Sequence, residues 1–384
     1  MKVTNKPIQF IDLKTQQQRI RSQIETAIMK VLDHGSYVMG PEIELLEEKL
    51  AEFCGVKYAI SCSNGTDALV LVLMAKKVMP GQAIFVPSFT FAATAEVVAQ
   101  MGAAPIFIDV LPDTYNMDPE SLKLGIITAK KLGLIPAGII PVDLFGQPAD
   151  YDAIQAIAYD NNLWILSDAA QSFGGTYKDL KVGNLAEVST TSFFPAKPLG
   201  CYGDGGAIFT SNDELCSVIK SLRVHGQGTD KYDNILIGMN GRMDTIQAAI
   251  LIEKLKIFPE ELKTRQKIAD YYNEILRDFV KTPYVISEAS SSWAQYTIRL
   301  PKKVSREKFI LELKNAGIPT AIYYLKSLHQ QKAYSHFPVA GENNLPVSEM
   351  LANEVISLPM NGYLDQETLY YIAETCVNVV SSFN

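Results

Sequence analysis

The feature that most constrains the fold is a repeated alternation of short apolar runs with segments of helical spacing. The runs lack the strict polar alternation of half-exposed strands, which is typical of parallel strands covered on both faces. The pattern therefore predicts an α/β fold, with a large domain over residues 1–256 built on a mostly parallel seven-stranded sheet. The runs are Tyr58–Ser61, Ala83–Val86, Pro105–Asp109, Gly138–Val142, Leu163–Ser167, Val188–Phe193 and Gly206–Thr210.

The regular alternation of apolar runs and helical segments ends after residue 256. The remaining segments predict a smaller C-terminal α+β domain over residues 257–384. Ahead of the sheet, helical spacing from Leu13 to Leu32 predicts an N-terminal helix. A second helix is expected to begin at Pro41 and end at Gly55. The C-terminal segments are a helix over Pro259–Phe279, a strand over Trp293–Leu300, a helix over Ser305–Ala316, a strand over Thr320–Tyr324 and a last helix from Asp365.

Composition argues against several classes of function. The net charge of −7 and the absence of a basic cluster disfavour nucleic acid and anionic membranes as partners. The longest apolar run, Ala68–Ala75, is far short of the ~20 residues that span a bilayer. The five cysteines include no C-x-x-C pair, so reduced thiols in the cytoplasm are expected. The four histidines lack metal-ligand spacing, and no metal site is predicted.

One lysine lies in an unusual setting. In the stretch SFFPAKPLG, Lys197 stands between Pro195 and Pro198, just after the sixth apolar run. The two prolines exclude a helix and predict a stiff loop at the end of a strand. Taken alone, an exposed turn lysine is the commonest interpretation of such a residue.

Other polar or aromatic residues follow the strands at their carboxyl ends, where open parallel sheets bind ligands. Gly65 and Thr66 lie between the first strand and a helix, where free N–H groups suit a phosphate; an ordinary helix cap is the alternative. Asp168 ends the fifth strand, where a carboxylate needs a cationic partner unless it caps a helix. Phe91 follows the second strand and could stack on a ring or pack in the core.

Together these residues meet the needs of one cofactor, pyridoxal 5′-phosphate. It requires a phosphate cradle, a flat surface against its ring, a carboxylate at its ring nitrogen and a lysine that binds it covalently. The chain supplies them, in that order, as Gly65, Thr66 and Ser192, then Phe91, Asp168 and Lys197.

The same motifs, in the same order, resemble those of the DegT/StrS family of nucleotide-sugar aminotransferases, which have the aspartate aminotransferase fold (fold type I). The resemblance covers nearly the whole chain. It rests on Gly65-Thr66-Asp67-Ala68-Leu69, Pro87-x-x-Thr90-Phe91-x-Ala93-Thr94, Asp168-Ala169-Ala170-Gln171, Ser192-Phe193-x-x-x-Lys197-x-Leu199-Gly200, Gly203-Asp204-Gly205-Gly206, His225-Gly226, Asn240-Gly241-Arg242-Met243 and Leu328-His329.

The resemblance implies a role for each cofactor residue. Lys197 would bind pyridoxal phosphate covalently and then move protons, while Asp168 would pair with the ring nitrogen. Phe91 would stack on the ring, and Gln171 would pack at its face or reach its hydroxyl. The phosphate would be held by Gly65, Thr66 and Ser192. Asn240 would reach the phosphate in the neighbouring subunit, which implies a homodimer with shared active sites.

The run NGRMDTIQAA resembles members of the family that aminate a UDP-linked 3-keto N-acetylhexosaminuronic acid, with glutamate as the usual donor, during assembly of bacterial surface polysaccharide. Arg242 would then bind the sugar carboxylate through its planar fork, although an ion pair with Asp244 is an alternative. His329, and also His225 or Tyr324, would hold the sugar or the nucleotide phosphates.

Several alternatives stay open at this point. The substrate could be another nucleotide-linked 3- or 4-keto-deoxysugar, or the chain could be a non-catalytic regulatory relative of the fold. Related sugar dehydratases carry histidine in place of the lysine, whereas this chain has Lys197. A nucleotide-binding dehydrogenase would need G-x-G-x-x-G after the first strand, and the residues from Ser63 to Asp67 do not match it.

Overall fold

The computed structural model describes residues 7–230, 232–341 and 344–383. Its helices are α1 (Leu13–Arg19), α2 (Arg21–His34), α3 (Pro41–Cys54), α4 (Gly65–Ala75), α5 (Ala93–Gln100), α6 (Pro119–Lys131), α7 (Tyr151–Asn161), α8 (Asp213–Leu222), α9 (Thr245–Leu276), α10 (Arg306–Asn315), α11 (Pro346–Glu354) and α12 (Gln366–Ser381). Short 3₁₀ turns cover Leu144–Gly146 and Leu328–Gln330. Its strands are β1 (Tyr58–Cys62), β2 (Gln82–Pro87), β3 (Ala104–Ile108), β4 (Ile135–Ile139), β5 (Trp164–Asp168), β6 (Thr176–Tyr177), β7 (Leu180–Lys181), β8 (Val188–Ser192), β9 (Gly206–Thr210), β10 (Ala289–Ser290), β11 (Tyr296–Arg299) and β12 (Val355–Leu358).

The seven apolar runs form one sheet, in the order β1-β9-β8-β5-β4-β2-β3. The pairs β2–β3, β2–β4, β4–β5 and β5–β8 are parallel, while β9 lies antiparallel to both β1 and β8. The predicted mostly parallel α/β sheet is therefore confirmed. Four consecutive residues of β2, Ala83–Val86, are fully buried, as expected for a strand covered on both faces.

Helix α4 brings the first motif to the sheet. Its N-cap is Asn64, whose side chain accepts a hydrogen bond from the Asp67 N–H. Every residue from Ala68 to Leu73 is buried, because the helix packs on the sheet and is covered by α5 and α8 on its other sides. The run Ala68–Ala75, apolar all round, is thus a core helix, and its N-terminus points to the carboxyl end of β1.

The C-terminal part has its own hydrophobic cluster, centred on β11 and β12, which pair antiparallel, and on α10 and α12. The expectation that a helix begins at Pro259 is wrong, because α9 starts at Thr245 and Pro259 lies inside it. Burial of Phe258 and Glu261 on either side offsets the single backbone hydrogen bond that proline removes. Helix α9 runs through position 256, so the division into domains 1–256 and 257–384 stays a prediction.

The strand predicted over Thr320–Tyr324 is also wrong. Only Ala321 pairs with the small sheet, opposite Ser357, as an isolated bridge. The chain then turns away, and the ring of Tyr324 packs edge-on against Phe89, 6.2 Å between centroids, at the end of β2. Packing against the large sheet therefore overrides the β-branched and aromatic pattern of this segment.

None of the helices in the described ranges combines the length and hydropathy needed to cross a bilayer.

Candidate active site

Lys197 and Asp168 come together at the carboxyl edge of the large sheet. Asp168 is the last residue of β5, and the loop that carries Lys197 follows β8, the neighbouring strand. The two side chains are close enough for the charge of each to act on the pKa of the other. The sequence predicted this cationic partner for Asp168 from the cost of leaving a buried carboxylate alone.

Asp168 is 6% exposed, and its hydrogen bonds come from neutral donors. The Thr94 hydroxyl donates to its Oδ2 at 2.8 Å, and the Ala170 N–H donates to its Oδ1 at 3.3 Å. Burial raises the pKa of Asp168, while these two hydrogen bonds and the ammonium of Lys197 act in the opposite direction. A cation placed against this carboxylate would therefore keep it ionised.

Lys197 is partly buried on a loop closed by main-chain hydrogen bonds. Its own N–H donates to the Phe194 carbonyl at 2.8 Å, and the base of the loop closes with Cys201 N–H to Phe193 O at 2.8 Å. Burial lowers the pKa of Lys197, and the Asp168 carboxylate opposes that shift. A larger fraction of the amine is therefore neutral than for an exposed lysine, which suits a nucleophile or a base.

Gly65 and Thr66, two of the residues predicted to hold a phosphate, lie close to the third, Ser192, and their role as a phosphate cradle stays a prediction. Gly65 and Thr66 open helix α4, where first-turn N–H groups have no intrahelical acceptor. A Cβ built on Gly65 would lie 2.7 Å from Ser192 Cβ, so only glycine lets the helix start come this close to the end of β8. The result is a small concave group of N–H and hydroxyl donors at a positive helix end.

Gln171 and Phe91, the residues predicted to contact the cofactor ring, both lie next to Tyr324. Gln171 Oε1 accepts from the Phe145 N–H at 3.0 Å, and its Nε2 donates to the Tyr324 hydroxyl at 3.4 Å. The Phe91 ring is 58% exposed, and its centroid lies 6.4 Å from that of Tyr324. Phe91 is thus not core packing, and its stacking on a cofactor ring stays a prediction.

His329 is engaged within the chain. Its Nδ1 lies 2.7 Å from Ser88 Oγ and its Nε2 lies 3.1 Å from Glu349 Oε1. Both ring nitrogens therefore already have partners, and a bond from this ring to a sugar would need one of them to be released. The predicted substrate contact stays a prediction, while the structure shows a clamp between the end of β2 and helix α11.

Asn240 and His225 are exposed on a surface loop, and Arg242 lies where that loop returns to the sheet. The Ser63 N–H donates to the Gly241 carbonyl at 2.9 Å, which joins the loop to the phosphate cradle. Arg242 Nε is buried and has no hydrogen-bond partner in the described part of the chain. No salt bridge joins Arg242 to Asp244 there, so the structure does not support the ion-pair alternative.

Comparison with known proteins decides the class of this site. The model of the DegT/DnrJ/EryC1/StrS aminotransferase family matches residues 18–377. The chain belongs to this family. It is 48% identical, over 373 residues, to the UDP-2-acetamido-2-deoxy-3-oxo-D-glucuronate aminotransferase of Pseudomonas aeruginosa, with 97% of this chain and 100% of that relative covered.

Solved structures of family members have the same fold. A DegT DnrJ EryC1 StrS aminotransferase from Brucella abortus superposes with a TM-score of 0.93 at 49% identity, covering 98% of this chain and 99% of that one. The PLP form of the putative sugar aminotransferase Spr1654 from Streptococcus pneumoniae superposes with a TM-score of 0.85 at 25% identity, covering 94% and 97%. The predicted aspartate-aminotransferase-like fold and the family resemblance are both confirmed.

As a DegT/DnrJ/EryC1/StrS aminotransferase, the protein uses pyridoxal phosphate, and the site fits that cofactor. The first-turn N–H groups of α4, brought close to Ser192 by Gly65, suit its phosphate, and Lys197 and Asp168 suit its aldehyde and ring nitrogen. Among the residues that the structure describes, no cluster of His, Cys, Asp and Glu could hold a metal ion.

One site residue was not assigned a role from the sequence. Thr94 stands in the quoted motif Pro87-x-x-Thr90-Phe91-x-Ala93-Thr94, yet nothing in its spacing indicated that it would bind Asp168, 74 positions away. A signal was present in its residue type, since a hydroxyl on the first turn of a helix needs a partner when it is buried among apolar residues.

Proposed function

We propose that this aminotransferase converts the 3-keto group of a UDP-linked N-acetylhexosaminuronic acid to an amine, with glutamate as the donor. Support comes from the 48% identity to a relative of that named activity across 97% of the chain. The observation that carries the chemistry is the pairing of Lys197 with Asp168 at the buried edge of the sheet. An inactive regulatory copy of the fold would have no need to keep this pair.

Lys197 performs the steps that need an amine. Its lowered pKa leaves a larger fraction of neutral amine, the form that would hold pyridoxal phosphate covalently. With its Nζ free, Lys197 would be the base that takes a proton from the substrate carbon and gives it back to complete the transfer. Lys197 would do this in both halves of the reaction, and 2-oxoglutarate would leave before the sugar is aminated because the cofactor would carry the amino group between the two substrates.

Asp168 sets the electronic state of the site. When bound, pyridoxal phosphate supplies an electron sink, provided that its ring nitrogen stays protonated. The Asp168 carboxylate would pair with that nitrogen and hold the proton there. Thr94 and the Ala170 N–H keep the carboxylate ionised in a setting where burial would otherwise protonate it.

Arg242 is the residue that reads the sugar carboxylate in this proposal. Its Nε is buried without a hydrogen-bond partner in the described chain, so this N–H of the guanidinium is unsatisfied until an anion binds. The flanking residues place it beside the site, because Gly241 binds Ser63 and Met243 packs in the same cluster as Phe193 and Leu199. A planar guanidinium binds a carboxylate with two parallel hydrogen bonds.

The active unit in this proposal is a homodimer with shared sites. The loop that carries Asn240 exposes apolar side chains, with Ile235 at 62% and Ile237 at 91% exposure, which a second copy would cover. Asn240 itself is exposed on the surface of the single chain. In the dimer, Asn240 donates to the cofactor phosphate of the neighbouring subunit.

The proposed setting is the cytoplasm, in the assembly of a bacterial surface polysaccharide such as an O-antigen or capsule. All five cysteines are buried free thiols, which suits a reducing compartment. A UDP-linked amino sugar is an activated precursor for polymer assembly.

The test is a two-stage assay with purified protein. Glutamate alone should release one equivalent of 2-oxoglutarate per active site, and the UDP-linked 3-keto uronate should then gain an amine, detected by mass spectrometry. Borohydride reduction of the resting enzyme should label Lys197. Faster amination of a 4-keto-deoxysugar would favour the alternative substrate class, and no 2-oxoglutarate release would refute the assignment of glutamate as donor.

A further inference from the structure

A lysine with no assigned role lies behind the catalytic loop. Lys254, on helix α9, is 1% exposed and is among the largest fully buried side chains of the described chain. Its Nζ donates a hydrogen bond to the carbonyl oxygen of Gly200. Gly200 ends the loop that carries Lys197. A buried ammonium is expensive, so the group to which it donates indicates what it holds in place.

Gly200 is packed against the start of that loop. A Cβ added to Gly200 would lie 2.5 Å from the Phe194 carbonyl oxygen and 2.6 Å from that of Pro195. The Phe194 carbonyl is also the acceptor for the Lys197 N–H, at 2.8 Å. A displacement of Gly200 would therefore also displace the turn that positions Lys197, because the start and the end of the loop are in direct contact.

Helix α9 contacts the end of the Lys197 loop at a second point. The Tyr202 N–H donates to Gln247 Oε1 at 2.9 Å, and the Lys254 ammonium lies 5.1 Å from the centroid of the Tyr202 ring. Two side chains about two turns apart on one face of the helix, Gln247 and Lys254, thus hold residues 200–202. The helix itself is fixed by its burial against the hydrophobic cluster that contains Phe193 and Leu199.

We infer that Lys254 is a positioning residue for transamination, which fixes the Lys197 loop through the Gly200 carbonyl. This inference rests on the proposed role of Lys197 as covalent attachment point and base. A methionine at position 254 would fill similar space without the cost of burying a charge, but it would leave the Gly200 carbonyl without its donor.

The hydrogen bond from Lys254 to the Gly200 carbonyl should depend on pH, because its strength depends on the protonation state of Lys254. Burial lowers the pKa of Lys254 to about 8; Glu261 and Cys201 raise it and Arg265 lowers it further. Above that pH the amine is neutral and is a weaker donor than the ammonium. Because the folded-state pKa lies below the ordinary lysine value, the cost of the buried charge is relieved as the pH rises from 8. As the pH rises above about 8, activity should therefore fall, while the free energy of unfolding rises because Lys254 is then neutral.

The experiment compares Lys254→Met with Tyr272→Phe. Tyr272 is fully buried on the same helix, and its hydroxyl also donates to a main-chain carbonyl, that of Pro359 at 3.1 Å. Lys254→Met should lower kcat about tenfold or more, since a charged hydrogen bond is lost, with KM for both substrates changed less than about twofold. It should also slow the covalent capture of pyridoxal phosphate by the apoenzyme, followed by borohydride trapping at Lys197 and peptide mass spectrometry.

The pH profile gives a readout that a merely structural role would not change. The wild-type rate of the glutamate half-reaction should decline above about pH 8, the pKa of Lys254. This alkaline decline should be absent from the pH profile of Lys254→Met. Wild-type kcat and capture rate in Lys254→Met, or an equal loss in Tyr272→Phe, would overturn the inference. If Lys254→Met does not fold, a wild-type profile without the alkaline decline would overturn it.

The two proposals fail in different ways. Activity in Lys197→Ala would refute the proposed function itself. An inactive Lys197→Ala beside a Lys254→Met enzyme that behaves as wild type would refute only the positioning role.

Discussion

Thr94 donates a 2.8 Å hydrogen bond to Asp168 Oδ2, which joins the first turn of helix α5 to the last residue of strand β5. Both residues are buried, at 1% and 6% exposure. Burial raises the pKa of Asp168 and this bond lowers it, so the hydroxyl helps to keep the carboxylate charged, as its proposed contact with the ring nitrogen requires.

Replacement of that hydroxyl should weaken catalysis without removing the cofactor. Thr94→Val keeps the shape and deletes the donor, which should cost about 1 to 2 kcal/mol and lower kcat by roughly tenfold. Steady-state kinetics on the cofactor-loaded enzyme measure this. Ser189→Ala is the matched control, because Ser189 Oγ is buried without a partner in the described chain. An unchanged kcat in Thr94→Val would show that Asp168 is held ionised without it.

Lys197→Ala should lose at least about a thousandfold in kcat, because one substitution removes both the covalent attachment and the proton carrier. The protein should stay folded, since the change removes a partly buried charge rather than a core side chain. Kinetics and circular dichroism together test this. Lys76→Ala, which breaks the 2.6 Å ion pair with Glu187 away from the site, serves as control. Substantial turnover in Lys197→Ala would return this residue to an ordinary loop lysine.

Gly65→Ala should weaken cofactor binding. The new Cβ would lie 2.7 Å from Ser192 Cβ, so helix α4 and strand β8 must separate at the cradle. Affinity for pyridoxal phosphate should fall by about tenfold or more, measured by spectroscopic titration of the apoenzyme. Gly362→Ala is the comparison, because the nearest atom to its Cβ lies at 3.6 Å, an ordinary contact. Equal affinities in Gly65→Ala and wild type would argue against a cradle at this place.

Shared active sites predict complementation between inactive subunits. Homodimers of Asn240→Ala and of Lys197→Ala should both be impaired, whereas a mixed dimer has one site with both native residues. Subunit exchange should therefore restore activity to roughly a quarter of the wild-type level per subunit, since half of the dimers are mixed and each has one complete site. Native mass spectrometry verifies the exchange. A verified mixed dimer without recovered activity contradicts a shared site.

Arg242→Lys should change substrate preference more than overall activity. The charge is kept and the planar fork is lost, which should cost about 1.5–3 kcal/mol toward the uronate, or roughly ten- to a hundredfold in kcat/KM. A matched UDP-sugar with a neutral C6 should be affected much less. The ratio of the two kcat/KM values is the measurement, and equal losses on both substrates would remove Arg242 as the carboxylate contact.

The chemistry of the site could be predicted from the sequence because its key residues follow strands directly. Strand β9 begins at Gly206 and ends at Thr210 as predicted, and Asp168 closes β5 within one residue of the predicted run. The carboxyl edge of the sheet then collects Lys197, Asp168 and the phosphate cradle without further information.

Tertiary contacts could not be predicted in the same way. The spacing of His329 from other residues does not indicate that Ser88 and Glu349 occupy its two nitrogens. Pro259 signals a helix start by its residue type, yet packing carries helix α9 through it. Such outcomes depend on which distant side chains the fold brings within hydrogen-bond reach.

The sequence by itself determined that Lys197 and Asp168 both follow strands, because the apolar runs before them are evident along the chain. The fold made those two strands, β8 and β5, neighbours in the sheet. Only the tertiary structure decided how those groups are charged and held. Burial moves the pKa of Lys197 down and that of Asp168 up, and Thr94 and Lys254 reach the site from helices distant in the chain. Desolvation and hydrogen-bond geometry are properties of the packed protein, which residue type and spacing do not encode.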